Sequence, residues 1–170
     1  GRDEECTKFL NTIKEEKIAD KVEEVYLNET FKIDNINCEI LGVKNPEITT
    51  NAINNSSMVI KMNTGKNDIL FLGDTGVESG EKLLKNQSEK LKVDILQMAH
   101  HGQSGVSKEV YDFIKPTICL WPTPDWLWIN DSGSGEDSGP WKTKETRQWM
   151  EELNITNNII EKDGNIKISI

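Results

Sequence analysis

The sequence predicts a mixed α/β or α+β domain, and three observations support this. Strand-like and helix-like segments alternate from Ile69 onward, which is typical of parallel strands joined by helices. Two alternating apolar segments come earlier, on either side of Asp34-Asn35, and predict a hairpin. The chain has 170 residues, without a repeat or a linker, so we predict a single domain over 1–170.

The N-terminal part predicts a helix, a short strand, a hairpin and a loop. Residues Glu5 to Ile18 place Phe9, Leu10 and Ile13 on one face at helical spacing. A short apolar strand follows at 25–27. The hairpin, a polar loop and a further strand cover, in order, residues 31–40, 44–55 and 57–62.

The C-terminal part predicts strands and helices in turn. A turn at 64–67 leads into a strand at 69–72 that is apolar enough to be buried on both faces. Ser107 and Thr143 are expected to cap two of the helices. The predicted helices cover 77–91, 107–114 and 143–153, the predicted strands cover 93–99, 117–121, 155–160 and 166–170, and 122–142 is a predicted loop.

The composition excludes some classes of protein. The net charge of −9 argues against a general nucleic-acid surface, which requires clustered Lys and Arg. No segment approaches the ~20 apolar residues of a membrane span, so we expect a soluble chain, cytoplasmic or secreted. Cys38 and Cys119 lie in predicted strands and are expected to be small buried residues.

The chain's two histidines, His100 and His101, follow a predicted strand directly. Asp74 follows the preceding predicted strand in the same way. Because open α/β sheets bind ligands at the carboxyl ends of their strands, we expect these side chains to be neighbours. Imidazole and carboxylate are ligands of catalytic zinc, so the pattern predicts a metal site. The alternative for Asp74 is a simple helix cap.

Adjacent side chains of an extended segment point to opposite sides. One histidine is therefore expected to bind a metal, while the other faces a substrate or a further hydrogen-bond acceptor. Glu78 lies one helical turn after Asp74 and could face the same pocket. Its alternative role is that of a first-turn carboxylate favoured by the helix dipole.

Three of the five tryptophans crowd one segment after a predicted strand: Trp121, Trp126 and Trp128. If the strands are parallel, this segment shares a rim with the histidines. There an aromatic wall can hold a cationic or sugar-like ligand. The alternative is a loop packed down by its own aromatic rings. Trp149 is expected to pack in the core from the last helix.

These residues resemble the metallo-β-lactamase superfamily, within it the branch of competence-protein hydrolase domains and phosphorylcholine esterases. The motifs that carry the resemblance are Gly73-Asp74, His100-His101-Gly102 and the segment 54–59, NNSSMV. The resemblance implies an αββα sandwich with two zinc ions, or manganese, and hydrolysis of a phosphoester. It further implies that Asp74 bridges the metals, His101 binds one, and His100 and Glu78 face the substrate.

The family's first ligand motif, H-x-H-x-D-H, is absent from this sequence. The resemblance therefore covers only the C-terminal half of the fold, and we expect this chain alone to be an incomplete, inactive site. Half of a sandwich leaves an apolar sheet face or edge uncovered. We therefore expect the chain to pair with the missing N-terminal half or to associate with itself.

Two other functions remain open at this point. The chain could be a non-catalytic module that binds a ligand or partner through the tryptophan segment and keeps a relic of a metal site. Asp74-Thr75-Gly76 also matches the D-T-G of aspartic proteases. That chemistry needs a second carboxylate, so it would demand a dimer and would leave the histidines without a role.

Overall fold

The computed structural model of the chain describes residues 2–168, and within that range seven strands form one mixed sheet, in the order β1 to β7. The strands are Thr30–Ile33 (β1), Ile36–Gly42 (β2), Val59–Asn63 (β3), Asp68–Phe71 (β4), Ile95–Gln97 (β5), Ile118–Trp121 (β6) and Asn158–Ile160 (β7). The helices are Arg2–Glu15 (α1), Val77–Gln87 (α2), Lys108–Ile114 (α3), Asp125–Trp128 (α4) and Thr143–Glu152 (α5). The predicted mixed α/β class is confirmed.

The pairing of the strands changes once across the sheet, from antiparallel to parallel at β4. Strands β1 to β4 are antiparallel neighbours, whereas β4 to β7 run parallel and are connected through helices. The carboxyl ends of β4, β5, β6 and β7 therefore meet at one edge. Because β3 is antiparallel to β4, it begins at that same edge.

One face of the sheet carries the main core. Side chains from β2 to β6 pack there with side chains from α2, α3 and α5. The sheet residues of this core include Leu41, Val59, Leu70, Leu96 and Cys119, and the helical ones include Leu83, Val110 and Met150. This burial drives the formation of amphipathic helices whose apolar face meets the sheet. The predicted burial of Cys38 and Cys119 is confirmed, and Trp149 packs against the core but is only partly buried.

The opposite face of the sheet is also apolar but is less well covered. Paired rows on that face include Ile60 beside Phe71, and Leu120 beside Ile159. These four side chains are half-buried, while Ile40 on β2 and Ile95 on β5 are buried on the same face. On the edge strand β1, Phe31 and Ile33 are 38% and 51% exposed.

Several predicted boundaries hold, and others need correction. The hairpin with its turn at Asp34-Asn35 is confirmed, as β1 pairs with β2 from Thr30↔Glu39 to Ile33↔Ile36. The predicted strand at 25–27 is wrong. Glu29 N donates to Tyr26 O (3.1 Å) and Tyr26 N donates to the Glu29 carboxylate (2.8 Å), so these residues form a turn.

The C-terminal elements differ from prediction at three places. The predicted loop at 122–142 contains the short helix α4. Helix α5 has Lys142 rather than Thr143 at its N-cap, and the Thr143 hydroxyl is buried without a partner. The prediction of a final hairpin is wrong within the described residues. A 3₁₀ turn at Glu161–Asp163 ends β7, and no strand follows up to residue 168. Residues 169 and 170 of that predicted strand lie outside the described residues.

None of the helices in residues 2–168 combines the length and the apolar character that crossing a bilayer requires.

Candidate functional site

Polar and aromatic side chains lie together at the carboxyl edge of the four parallel strands. Asp74 follows β4, the two histidines follow β5, the tryptophan segment follows β6, and Glu161 follows β7. An open cleft at this edge is lined by His100, His101, Gln103, Pro122, Pro124, Trp126, Leu127 and Glu161. The expectation that the histidines and the tryptophan segment share one rim is confirmed, and Glu161 is a member that sequence reasoning missed.

The histidine pair does not continue the strand, which corrects the extended conformation expected from the sequence. His100 and His101 have φ values of 49° and 58°, so both lie in the left-handed region. Such conformations cost about 1–3 kcal/mol each for a non-glycine residue and cluster at functional sites. The two rings are 6.2 Å apart between centroids, and both border the cleft.

Gly102 permits this tight turn. Its φ is +77°, and a Cβ built on it would lie 2.4 Å from the Trp121 ring. A larger residue would therefore push the histidine turn away from β6. This steric clash explains why a glycine follows the two histidines.

His101 and Asp74 are brought together across β4 and β5. His101 Nε2 lies 3.7 Å from Asp74 Oδ1, and both side chains are almost half exposed, at 47% and 44%. On the other side of the ring, His101 Nδ1 lies 2.8 Å from Pro122 O. A carbonyl can only accept, so Nδ1 carries a proton, and Nε2 is the ring nitrogen that faces Asp74.

This arrangement fits two ligands of a zinc ion. A ligating histidine typically donates its second ring N–H to a carbonyl or carboxylate, as His101 does to Pro122. Two ligand atoms of one tetrahedral zinc, each about 2.1 Å from the metal, lie about 3.4 Å apart. The observed 3.7 Å is close to that spacing. A catalytic zinc needs three protein ligands, and among residues 2–168 no group of three or more suitable side chains gathers.

Gln97, the last residue of β5, ties the ends of β4 and β5 together. Its side-chain oxygen accepts from Gly73 N (2.8 Å), and His100 N donates to Gly73 O (2.9 Å). Because Gly73 directly precedes Asp74, these bonds hold Asp74 against the histidine turn. Gly73 itself has φ +56°. A Cβ built on Gly73 would lie 3.3 Å from the Cβ of Ser57, so the absence of a side chain leaves room for Ser57.

The segment NNSS before β3 contacts each predicted site residue except His101. Ser57 Oγ accepts from Asp74 N (3.0 Å), and Asn54 Nδ2 lies 3.1 Å from His100 Nε2. Asn55 Nδ2 donates to the Glu78 carboxylate (2.9 Å), and Asn55 Oδ1 accepts from Ser79 N (3.0 Å). In the sequence, this segment stood out only as one of the motifs that resemble the metallo-β-lactamase superfamily. Its position follows from the antiparallel pairing of β3 and β4.

Glu78 is therefore near the site but held apart from the cleft. Its carboxylate is bonded to Asn55, and Glu78 is not among the described residues that line the cleft. A role for Glu78 toward a substrate stays a prediction.

The tryptophans divide into two groups. Trp121 is buried and meets Trp128 edge to face, with centroids 5.3 Å apart, and the Arg147 guanidinium lies 4.2 Å above the Trp128 ring. Trp126 is 48% exposed, lines the cleft and touches Trp141 at a centroid distance of 4.9 Å. Packing in the protein interior explains Trp121 and Trp128. The pair of Trp126 and Trp141 leaves an aromatic surface open to a ligand.

The fold and site define a mixed α/β protein with an imidazole–carboxylate pair at the carboxyl edge of a parallel sheet. No family model matches the chain. The chain is 32% identical over 104 residues to ComE operon protein 3 of Bacillus subtilis (strain 168), which is 61% of this chain and 13% of that protein. It is 28% identical over 80 residues to Recombination protein 2 of Haemophilus influenzae, which is 46% of this chain and 10% of that protein.

Proposed function

We propose that this chain supplies part of the active site of a metal-dependent hydrolase of the metallo-β-lactamase type, acting on a phosphoester. The observation that carries the proposal is the His101–Asp74 pair at 3.7 Å, with the second ring nitrogen of His101 bonded to Pro122 O. Zinc or manganese at such a site supplies a Lewis acid and a water of lowered pKa.

In this proposal each residue of the chain has a defined task. Asp74 and His101 hold metal, and the Pro122 carbonyl keeps the His101 ring in the ligating orientation. His100 borders the cleft and is available to a bound substrate as a hydrogen-bonding or proton-transferring group. Glu78, whose carboxylate accepts a hydrogen bond from Asn55 Nδ2, stays a candidate for contact with the substrate.

The remaining ligands would come from outside this sequence. Two relatives match this chain over only 13% and 10% of their own lengths, so the matched segment is a small part of a longer protein in both. The less-covered apolar face of the sheet, with Phe71 and Leu120, supports a partner layer there. We propose that a preceding half of the fold covers this face and completes the metal site.

The experiment compares metal content and phosphoester hydrolysis for the longest natural form of the protein and its Asp74→Ala variant. We expect Asp74→Ala to lose both, by more than the roughly 10–100-fold typical of residues that only support a ligand. Asp112→Ala, which removes an exposed carboxylate from α3, serves as the matched control and should change neither. Normal metal content and turnover in Asp74→Ala would contradict the proposal.

A second candidate function is a non-catalytic binding module. It is favoured by the absence, among the described residues, of a complete metal-binding group, and by the exposed Trp126 in the cleft. Metal analysis of the longest natural form separates the two, since the module predicts no bound metal. The aspartic protease alternative has less support, because the ionisable side chain beside Asp74 is an imidazole and not a second carboxylate.

A further inference from the structure

We propose that the cleft beside the histidine pair binds a neutral, hydroxyl-bearing ring of the sugar type, with Trp126 as the stacking platform and Glu161 as the hydrogen-bond acceptor. This inference rests on the cleft itself and does not require the metal site to be complete.

The platform is already in place in the protein. Trp126 is 48% exposed yet its ring is supported by Trp141, at a centroid distance of 4.9 Å. Its backbone is fixed as well, because Trp126 O accepts from Asp131 N at 2.7 Å. An aromatic face held rigidly at the surface offers contact area to a ring at a small cost in conformational entropy.

The polar groups around the platform suit hydroxyl groups. Glu161 follows the last residue of β7, so its carboxylate stands at the same edge as the histidines and lines the cleft with them. A carboxylate accepts hydrogen bonds from neighbouring hydroxyls, and Gln103 in the same lining both donates and accepts. Pro122, Pro124 and Leu127 supply apolar walls, so the cleft combines an apolar surface with a few polar groups.

Other ligand classes fit these residues less well. Without a metal to neutralise its charge, an anionic group would be repelled by Glu161, and a nucleic-acid strand would also meet a chain of net charge −9. A quaternary ammonium group is recognised by a cage of several aromatic faces, and the described lining contains a single indole beside its two imidazoles. A neutral ring with hydroxyl donors uses the platform and the carboxylate together.

The test follows the indole N–H signals of the isolated chain by NMR, without added metal, and assigns Trp126 from the Trp126→Phe variant. The probes are glucose, N-acetylglucosamine, tetramethylammonium and adenosine monophosphate. We expect a saturable shift of the Trp126 signal with at least one of the two sugars, and the Glu161→Ala variant should bind that sugar about tenfold more weakly, as for a lost hydrogen bond to a charged group.

The matched control is Glu89→Ala, an exposed carboxylate in the 3₁₀ turn that precedes β5, at the opposite edge of the parallel strands. It should bind the sugar like the unchanged chain, and the other indole signals report whether each variant stays folded. Absence of a saturable sugar shift, equal binding by Glu161→Ala, or tighter binding of tetramethylammonium or the nucleotide would overturn the inference. Because no metal is present, this outcome is independent of the Asp74→Ala experiment.

Discussion

At the scale of single residues, the candidate site contains backbone conformations that are energetically unfavourable for most residues. His100 and His101 both have positive φ, and Gly102 follows with φ +77° beneath the Trp121 ring. This turn gives the two rings different surroundings. His101 is bonded to Pro122 O and faces Asp74, whereas the His100 ring faces Asn54. The two imidazole rings therefore have different hydrogen-bonding and charged neighbours.

This difference leads to a prediction for the longest natural form of the protein. His101→Ala should lower the bound metal together with activity, because it removes a ligand. His100→Ala should mainly lower the hydrolysis rate, by about 10²–10⁴-fold if its ring transfers a proton, while metal is retained. Metal analysis and steady-state kinetics of both variants check this, and the reverse pattern would exchange the two assignments.

A second prediction at this scale concerns alkaline pH. Burial raises the pKa of the Cys119 thiol from its ordinary 9.0 to about 12. Above pH 9 the Cys119 thiol loses its proton in the unfolded chain but keeps it in the folded chain. The contribution of this thiol to stability is therefore fully present below pH 9 and is lost as the pH rises toward 12. At pH 10 this thiol should lower the free energy of unfolding by about 1 kcal/mol.

Urea unfolding at pH 8 and pH 10 measures this loss. Cys119→Ala, although less stable overall, should lose less stability between the two pH values than the unchanged chain. Cys6→Ala removes an exposed thiol and should show the full loss. Equal losses in all three proteins would speak against a buried, protonated Cys119.

At the scale of elements, the candidate site depends on where strands begin and end. The NNSS segment precedes β3, and antiparallel pairing with β4 brings it to Asp74, His100 and Glu78. Asn55 is its most connected member. It is fully buried, donates to Thr50 O and the Glu78 carboxylate, and accepts from Ser79 N.

We therefore predict that Asn55→Ala destabilises the chain by about 2–4 kcal/mol, because several buried groups lose their partner at once. It should also free Glu78 and so reduce activity in the longest natural form. Chemical denaturation followed by tryptophan fluorescence measures the stability. Asn157→Ala, at an exposed position, is the control and should stay within about 0.5 kcal/mol. A similarly small change in Asn55→Ala would show that these bonds contribute little.

At the scale of the whole molecule, the sheet has one face well covered by helices and one face that is not. The less-covered face includes Phe71 and Leu120, and the edge strand β1 exposes Phe31 and Ile33. Exposed apolar surface next to an open strand edge favours association. This surface supports the proposal that the chain works within a larger assembly.

For the isolated 170-residue chain we predict self-association and no efficient hydrolysis with added zinc or manganese. The double variant Phe31→Lys with Ile33→Lys should be shifted toward the monomer, because it replaces the exposed apolar side chains of this face by charges. Thr30→Lys adds a charge to the opposite face of the same strand and is the control. Light scattering and a phosphoester assay check both statements. A monomer that turns over substrate at ~1–10³ s⁻¹ would refute them.

The sequence by itself determined the alternation of strands and helices, the hairpin at Asp34-Asn35 and the placing of Asp74 and the histidines after neighbouring strands. These features depend on local periodicity and on turn residues, which are readable along the chain. Only the tertiary structure decided that the histidine turn is left-handed, that Pro122 orients His101, and that Glu161 and the NNSS segment reach the same edge. Those contacts join residues far apart in sequence, and they depend on the parallel and antiparallel pairing of strands, which no local pattern encodes.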